Sequence, residues 1–189
     1  LYGVDADTSE LLFQTSNDTQ GAYFNAPTIY GENIYMDEGN DGGMLAKNAL
    51  DGTTLWSTNN QAKWPAYWEP AVDDQYVYAP YYTDLTIRDK ITGELIYTIE
   101  NAEVKTPVLR KNGDVLTYKN SGRDIKSFRI GDQSVTWTAS ASSIPKIIGV
   151  GGGIVAAVTK NTVEVFNEIT GVKRWKWSST IGSLNDQLI

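Results

Sequence analysis

The sequence predicts an all-β fold, a β-propeller of four-stranded antiparallel blades, of which about four and a half are visible in the chain. A segment of about 40 residues repeats along the chain, and each repeat divides into four short strands separated by turn residues. No stretch shows the apolar period of a helix. The 6 Trp and 11 Tyr among the 189 residues support the same prediction, because these side chains suit pleated, half-buried strands.

A closing aromatic residue marks the end of each repeat. The five closing aromatics are Phe13, Trp56, Tyr97, Trp137 and Trp175. Their spacings are 43, 41, 40 and 38 residues. Prolines recur with the same period, each at the start of the first strand of a repeat, where the missing N–H of proline is tolerated. These prolines are Pro27, Pro70, Pro107 and Pro145. Two sets of residues that recur with the same period indicate a repeated architectural unit.

The third repeat illustrates the predicted strands. They cover residues 69–72, 75–79, 85–89 and 94–99. The turn at 90–93 ends in a glycine, where a positive φ costs little. Four such strands in each period are typical of a propeller blade.

We expect residues 1–189 to form a single, partial β-propeller domain. The predicted blades are 1–15 (outer strands only), 22–59, 69–100, 105–139 and 144–178, with 181–189 beginning another. Four and a half blades would leave exposed sheet edges, which are a liability in β proteins. A longer chain, a smaller ring closed by the end strands, or another subunit would each remove those edges, and we favour the longer chain.

The turn before each closing aromatic resembles the tryptophan-docking motif of the quinoprotein (PQQ-like) repeat propellers. In that motif a small residue, an Asp or Asn, a Thr-Gly turn and a Trp stand at fixed spacing. The matching positions are Ala46, Asn48, Asp51-Gly52 and Trp56; Asp89, Thr92-Gly93 and Tyr97; and Val165, Asn167, Thr170-Gly171 and Trp175. The first copy departs at Ser9 and Phe13, and the fourth departs at Arg129 and Gln133.

This resemblance implies that each tryptophan docks onto the neighbouring blade and that the complete ring has seven or eight blades. The chain is similar in repeat style to the non-catalytic branch of the family, which includes the propeller lipoprotein of the bacterial outer-membrane assembly machinery. An extracytoplasmic location, whether periplasmic, cell-surface or secreted, follows as an expectation.

Composition restricts the chemistry that the chain can perform. It contains no His and no Cys, which excludes imidazole bases, zinc–thiolate sites and disulfides. The net charge of −7 argues against nucleic-acid binding. No apolar run approaches the ~20 residues of a membrane span, so we expect no membrane insertion.

Loops between the second and third strands, and connections between blades, are expected to project from one face. Candidate ligand-binding residues on that face are Trp64, Tyr67, Trp68, Glu69, Tyr81 and Tyr82. Aromatic rings beside carboxylates suit a sugar ring or an extended peptide. The alternative interpretation is that Trp64 or Trp68 packs between blades.

The acidic, glycine-rich loop at residues 37–43 is a candidate calcium site through Asp37, Glu38 and Asp41. The loop lacks the EF-hand pattern, because its third position is Gly39. A solvated hairpin turn is the alternative. The glycine-rich segment 149–153 lacks the spacing of a phosphate loop and is predicted to be a turn between strands.

These observations together predict a non-enzymatic binding or scaffold module for protein, peptide or glycan ligands, with no resident cofactor. The alternative is a fragment of a quinone-dependent dehydrogenase or of another larger, multidomain enzyme. The family resemblance implies that such a dehydrogenase needs an aspartate base, a calcium ion and residues that sandwich the quinone. We cannot place that set in this sequence, so PQQ is not an expected cofactor.

Overall fold

The computed structural model describes residues 1–15, 26–37, 43–58, 69–81, 83–102, 106–111, 113–118 and 122–180. Within these ranges all regular structure is β, in 18 strands. The described residues include no helix long and apolar enough to cross a membrane. The chain divides into two compact units, Leu1–Asn101 and Ala102–Ile189.

The first unit contains three sheets, which we number as blades in chain order. Blade 1 has β1 (Tyr2–Val4) and β2 (Leu11–Gln14). Blade 2 has β3 (Thr28–Tyr30), β4 (Asn33–Asp37), β5 (Met44–Asn48) and β6 (Thr54–Ser57). Blade 3 has β7 (Ala71–Val72), β8 (Tyr76–Tyr81), β9 (Asp84–Asp89) and β10 (Leu95–Ile99). Every strand pairs antiparallel with its neighbour in sequence.

The second unit contains two four-stranded sheets of the same order. Blade 4 has β11 (Val108–Leu109), β12 (Val115–Tyr118), β13 (Asp124–Phe128) and β14 (Val135–Ser140). Blade 5 has β15 (Ile147–Gly151), β16 (Ile154–Val158), β17 (Thr162–Asn167) and β18 (Lys173–Ser178). The 149–153 segment is therefore mostly strand, and only Gly152 and Gly153 form the turn, both at positive φ.

The hairpins that end blades 1, 2, 3 and 5 share one construction, seen clearly at Asp89. Its side-chain Oδ1 accepts hydrogen bonds from the backbone N–H groups of Ile91 (2.9 Å) and Thr92 (2.8 Å). Those backbone donors hold the pKa of the Asp89 carboxyl below its ordinary value. The Gly93 N–H donates to the Asp89 carbonyl (2.9 Å), and Gly93 has a φ of +72°. Asp5, Asn48 and Asn167 organise their own turns through the same side-chain oxygen.

The two departures from the sequence motif keep this backbone shape. Ser9 and Gln133 stand where the other turns have glycine, and their φ angles are +62° and +60°. A non-glycine residue in this region costs about 1–3 kcal/mol, so the rest of the turn must hold it there. A register shift also occurs beside every one of these turns, as expected where a β-bulge absorbs an extra residue.

The closing aromatics join one blade to the next through these turns. Trp56 of blade 2 donates its Nε1–H to the carbonyl of Lys90 in blade 3 (2.9 Å). Its ring covers Gly93 so closely that a Cβ built there would lie 2.5 Å from ring atoms. Trp137 of blade 4 makes the same contact on blade 5, donating to the Glu168 carbonyl (3.1 Å) and covering Gly171.

Closing aromatics that cover a glycine of the next blade are buried. Phe13, which covers Gly52, is 9% exposed, and Trp56 and Trp137 are each 8% exposed. Trp175 is 52% exposed although it stands at the same position of its repeat. Buried apolar side chains from adjacent blades fill the remaining space between them, as in the cluster of Tyr35, Met44, Ala46, Trp56, Val72, Val77 and Ala79.

Glu164, a fully buried carboxylate, links the segment before blade 5 to β18, the outer strand of that blade. Its Oε1 accepts hydrogen bonds from the backbone N–H (2.7 Å) and the hydroxyl of Ser142, and its Oε2 pairs with Lys173. Burial alone would raise the pKa of the Glu164 carboxyl. The hydrogen bonds from Lys173 and Ser142 outweigh burial, so the pKa lies below the ordinary value of 4.5.

Because the folded pKa lies below the unfolded one, this carboxylate stabilises the fold above about pH 4.5 and loses its effect as the pH falls through the folded pKa. We expect Glu164→Gln to lower the free energy of unfolding by about 1–2 kcal/mol at pH 7. It should also flatten the acid dependence below pH 4.5. Urea unfolding followed by circular dichroism at pH 7 and pH 4 measures both effects.

Asp132→Asn is the matched control, because its pairing with Arg129 (3.3 Å) is exposed on both sides and asparagine keeps the side-chain oxygen that accepts from Ser134. It should leave the urea midpoint at pH 7 close to that of the wild type. An acid unfolding profile of Glu164→Gln identical to that of the wild type would contradict the prediction.

Candidate functional site

A pocket opens between blades 2 and 3 at one end of their strands. It is lined by Asp37, Gly43, Met44, Ala79, Pro80, Tyr81, Thr86 and Arg88. The space inside it is small and has room for about one water molecule. These residues come from the end of β4, the start of β5, and the paired strands β8 and β9. The pocket therefore lies where the second and third strands connect, the end at which the sequence predicts ligand-binding loops.

The pocket brings together residues that the sequence assigned to two separate candidate sites. Asp37 was a predicted calcium ligand and Tyr81 a predicted ligand-binding aromatic, and both line this pocket. Glu69 is described and half-buried but does not line it. The other candidates, Glu38, Asp41, Trp64, Tyr67, Trp68 and Tyr82, lie outside the described residues.

Calcium binding at this loop stays a prediction. Within the described ranges no three Asp or Glu residues come close enough to hold a metal ion. Asp37 is the member of the predicted set that can be placed, and it is 5% exposed at the end of β4.

The walls of the pocket are apolar and firmly held. Met44, Ala79 and Pro80 are buried, and the Thr86 hydroxyl donates to the Ala79 carbonyl (3.0 Å) across the β8–β9 pair. The Met44 N–H donates to the Thr58 hydroxyl (2.9 Å), and the Thr58 N–H donates to the Met44 carbonyl (2.8 Å). This pairing leaves no room for a side chain at position 43, which accounts for Gly43. The pocket is thus built from paired strands rather than from loops alone.

Arg88 gives the pocket a buried positive charge. It is 4% exposed, and one guanidinium nitrogen, Nη1, donates to the Gly93 carbonyl (3.0 Å). Its Nε–H has no hydrogen-bond partner among the described residues. Burial lowers the pKa of the guanidinium, as expected for a cation removed from water. A buried donor without a partner is rare in folded proteins and calls for a physical reason.

The other blades show what the scaffold itself requires at this repeat position. Phe128 and Phe166 occupy it in blades 4 and 5, where both are buried in the core. Lys47 occupies it in blade 2, and its Nζ donates to the Thr54 hydroxyl (2.8 Å) and to the Gly52 carbonyl (3.4 Å). Arg88 alone among these described side chains combines a buried charge with an unmatched donor. The fold therefore accommodates an apolar residue here and does not need an arginine.

Sequence reasoning missed Arg88, although one signal was present. The residue directly before the first residue of the turn (Asn48, Asp89, Arg129 or Asn167) is basic in blades 2 and 3 and phenylalanine in blades 4 and 5. A basic residue at a position that is elsewhere phenylalanine marks a candidate site. Chemically, the lining of the pocket combines the cation of Arg88, the carboxylate of Asp37 and the apolar side chains of Met44, Ala79 and Pro80.

Comparison with known proteins provides a family. A family model described as outer membrane protein assembly factor BamB matches residues 1–177. No curated protein matches the sequence significantly.

Solved structures share the fold at low sequence identity. The crystal structure of BamB from Moraxella catarrhalis is 18% identical, with a TM-score of 0.71 over 97% of this chain and 59% of that one. The computationally designed Ika8 protein is 17% identical, with a TM-score of 0.75 over 93% of this chain and 55% of that one. KlHsv2 with loop 6CD replaced by a Gly-Ser linker is 10% identical, with a TM-score of 0.66 over 85% of this chain and 55% of that one.

These likenesses confirm the predicted all-β propeller of PQQ-like repeats. The chain spans less than two thirds of each of the three structures, which fits the predicted partial propeller.

Proposed function

The chain belongs to the family of outer membrane protein assembly factor BamB, and on this premise we propose that it is a non-enzymatic propeller module that binds polypeptide segments at the end of its blades where the pocket opens. One observation carries the proposal: the pocket between blades 2 and 3 brings together Asp37, Tyr81 and the buried Arg88. A rigid scaffold that presents charged and aromatic side chains around a pocket is suited to recognition.

A polypeptide is the ligand we favour among protein, peptide and glycan. The family description names a factor in the assembly of outer membrane proteins, whose substrates are themselves polypeptides. An extracytoplasmic location follows from the same description as part of this proposal. The contacts of Trp56 and Trp137 with the next blade support the tryptophan-docking interpretation of the repeat, which assigns those aromatics to architecture and leaves the loops and the pocket for binding.

The competing function, a fragment of a quinone-dependent dehydrogenase, has a direct test. Purified protein incubated with PQQ, calcium, and alcohol or glucose should not reduce an electron-acceptor dye above the protein-free rate. Dye reduction that depends on the protein would overturn the non-enzymatic proposal.

The predicted aromatic loop provides the binding test. We expect Trp64→Ala and Trp68→Ala each to weaken binding of an unfolded outer-membrane β-barrel protein about tenfold, because tryptophans dominate binding energy at interfaces. The probe is a fluorescently labelled β-barrel protein diluted from urea, and its anisotropy reports binding.

Trp175→Ala is the matched control, because Trp175 is an exposed aromatic of the outer strand β18 and does not line the pocket. It should leave the affinity unchanged. If the Trp64 and Trp68 variants lose thermal stability but keep the wild-type affinity, both tryptophans serve packing and the predicted loop site is wrong. If the wild-type protein itself does not bind the probe, the proposed function fails.

A further inference from the structure

We propose that the last hairpins of blades 1, 2 and 3 form a docking surface for a basic amphipathic helix of a partner protein. The surface consists of exposed aliphatic side chains, which recur from blade to blade, and of the carboxylates beside them. None of these aliphatic residues lines the pocket between blades 2 and 3. The proposal therefore goes beyond the polypeptide binding proposed above.

The aliphatic side chains occupy two repeat positions. The β-bulge of each outer strand has one extra residue between the paired positions, and in blades 1 to 3 this residue is Leu12, Leu55 and Ile96. The third residue of the turn is Leu50 in blade 2 and Ile91 in blade 3. These five residues, which we call the apolar strip, have exposed fractions between 44% and 71%.

The contact of Trp56 with blade 3 brings two members of the apolar strip together. Trp56 donates its Nε1–H to the Lys90 carbonyl (2.9 Å), and its ring covers Gly93 of the same turn. Leu55 precedes Trp56 in the chain, and Ile91 follows Lys90. The bulge residue of blade 2 therefore lies beside the turn residue of blade 3.

Blades 1 and 2 repeat this arrangement. Phe13 covers Gly52 in the turn of blade 2, so the bulge residue before it, Leu12, lies beside the turn that contains Leu50. The apolar strip therefore continues across neighbouring blades and is more than a set of scattered surface residues. Continuous exposed apolar surface of this kind is typical of an interaction site.

The scaffold does not require aliphatic residues at these positions. The bulge residue is Thr136 in blade 4 and Arg174 in blade 5. The third turn residue is Asp7 in blade 1 and Gly131 in blade 4. Tight turns favour small and polar residues, because those side chains suit the backbone of the turn. The aliphatic residues of blades 1 to 3 are therefore explained better by binding than by folding.

Charge determines which partner fits. Residues 1–101 contain 16 Asp and Glu against 4 Lys and Arg, a net charge of −12, whereas residues 102–189 contain 7 against 12, a net charge of +5. Glu10, Asp51 and Glu94 are exposed, and each lies within two residues of a member of the apolar strip. These carboxylates attract the Lys and Arg side chains of a partner and repel an anionic membrane surface.

The basic residues of the first unit leave this negative surface largely uncompensated. Lys47 and Arg88 are buried, and the Lys90 Nζ lies 4.7 Å from the centre of the Tyr30 ring. The fourth, Lys63, lies outside the described residues. A partner that brings its own cations therefore complements the surface beside the apolar strip.

The bulges indicate that the partner is a helix and not an added strand. Each bulge interrupts the regular edge of its sheet at Leu12, Leu55 or Ile96. Bulges at sheet edges disfavour pairing with a further strand. A helix binds through its side chains alone, so that its apolar stripe contacts the apolar strip while its Lys and Arg residues reach the carboxylates.

A labelled peptide that repeats Leu-Lys-Lys-Leu-Leu-Lys-Leu is the probe, because it forms a basic amphipathic helix. We expect saturable binding to the wild-type protein by fluorescence anisotropy. A scrambled peptide of the same composition keeps the charge but has no apolar stripe, and a leucine–glutamate peptide keeps the stripe but reverses the charge. Each should bind at least about tenfold more weakly. Equal binding of either control peptide, or no binding of the leucine–lysine peptide, means that the docking surface is wrong.

The double variant Leu55→Gln, Ile91→Gln locates the binding on the protein. It should weaken the leucine–lysine peptide about tenfold and leave the urea midpoint unchanged, because both side chains are exposed. Ile169→Gln is the matched control, since Ile169 has the same turn position and is 77% exposed but belongs to the basic second unit. Its affinity should equal that of the wild type. Wild-type affinity in the double variant, or an equal loss in Ile169→Gln, contradicts the proposal.

Phosphatidylglycerol vesicles distinguish a membrane from a protein partner. The wild-type protein should not co-sediment with them, and co-sedimentation that the double variant loses would assign the apolar strip to a lipid surface instead. If the double variant does not fold, the three peptides titrated into the wild-type protein still decide the proposal. The β-barrel probe tests the polypeptide binding proposed above, which stands or fails independently of these results.

Discussion

Replacing Trp137 with alanine is expected to lower the free energy of unfolding by about 3–5 kcal/mol, whereas Trp175→Ala should lower it by about 1–2 kcal/mol. The two residues occupy the same repeat position in the same compact unit, so they form a matched pair. Trp137 is 8% exposed, belongs to the core cluster between blades 4 and 5, and donates to the Glu168 carbonyl. Trp175 is 52% exposed and therefore has much less buried area to lose.

Urea unfolding followed by far-ultraviolet circular dichroism measures both effects without depending on tryptophan emission. The slope of the transition should be the same in both variants, so that the midpoints report stability directly. If the two compact units unfold in separate transitions, the two variants can still be compared, because both substitutions lie in the second unit. Equal destabilisation by the two substitutions would contradict the link between burial of the closing aromatic and its energetic role.

The repeat could be predicted from the sequence because its signals are local. The turn combines an Asp or Asn that binds its own backbone with a glycine four residues before the aromatic, and it needs only a few neighbouring residues to form. The positive φ angles at Gly52, Gly93 and Gly171 confirm that part of the prediction. Tolerance of the same angle at Ser9 and Gln133 could not be predicted, because the surrounding turn and bulge have to offset the strain.

The candidate site was only partly predictable because it lies between two blades. Asp37 and Tyr81 were chosen from separate loops, and nothing in the sequence indicates that the end of β4 faces the end of β8. Arg88 was missed for a different reason. An arginine in an alternating strand is normally exposed, and its burial here depends on blade 2 packing over β9.

The architectural contact and the candidate pocket share the same interface between blades 2 and 3. Trp56 joins the two blades at the turn end, and Met44 and Ala79, members of the same buried cluster, line the pocket. Arg88 takes part in both, because it lines the pocket and its Nη1 donates to the Gly93 carbonyl under the Trp56 ring. Side chains held in place in this way are preorganised, which lowers the cost of ordering them around a ligand.

Substituting Gly171, which the Trp137 ring covers, is expected to destabilise the fold about as much as substituting Trp137 itself. Gly171→Ala should lower the free energy of unfolding by about 3–4 kcal/mol, because alanine is strained at a φ of +70° and its Cβ would lie 2.6 Å from the Trp137 ring. Gly153→Ala is the control in the same unit. Gly153 has a φ of +77° with nothing within 4 Å of the added Cβ, so only the backbone strain of about 1 kcal/mol remains.

A double-mutant cycle separates the two contributions at Gly171. When Trp137 is already alanine, the ring that the new Cβ would strike is absent, and Gly171→Ala should cost only about 1 kcal/mol, as at Gly153. The interaction energy of the pair should then be about 2 kcal/mol and opposite in sign to the two single effects. If the two costs simply add, Trp137 and Gly171 do not act as one contact, and the closing aromatic stabilises blade 5 by burial alone.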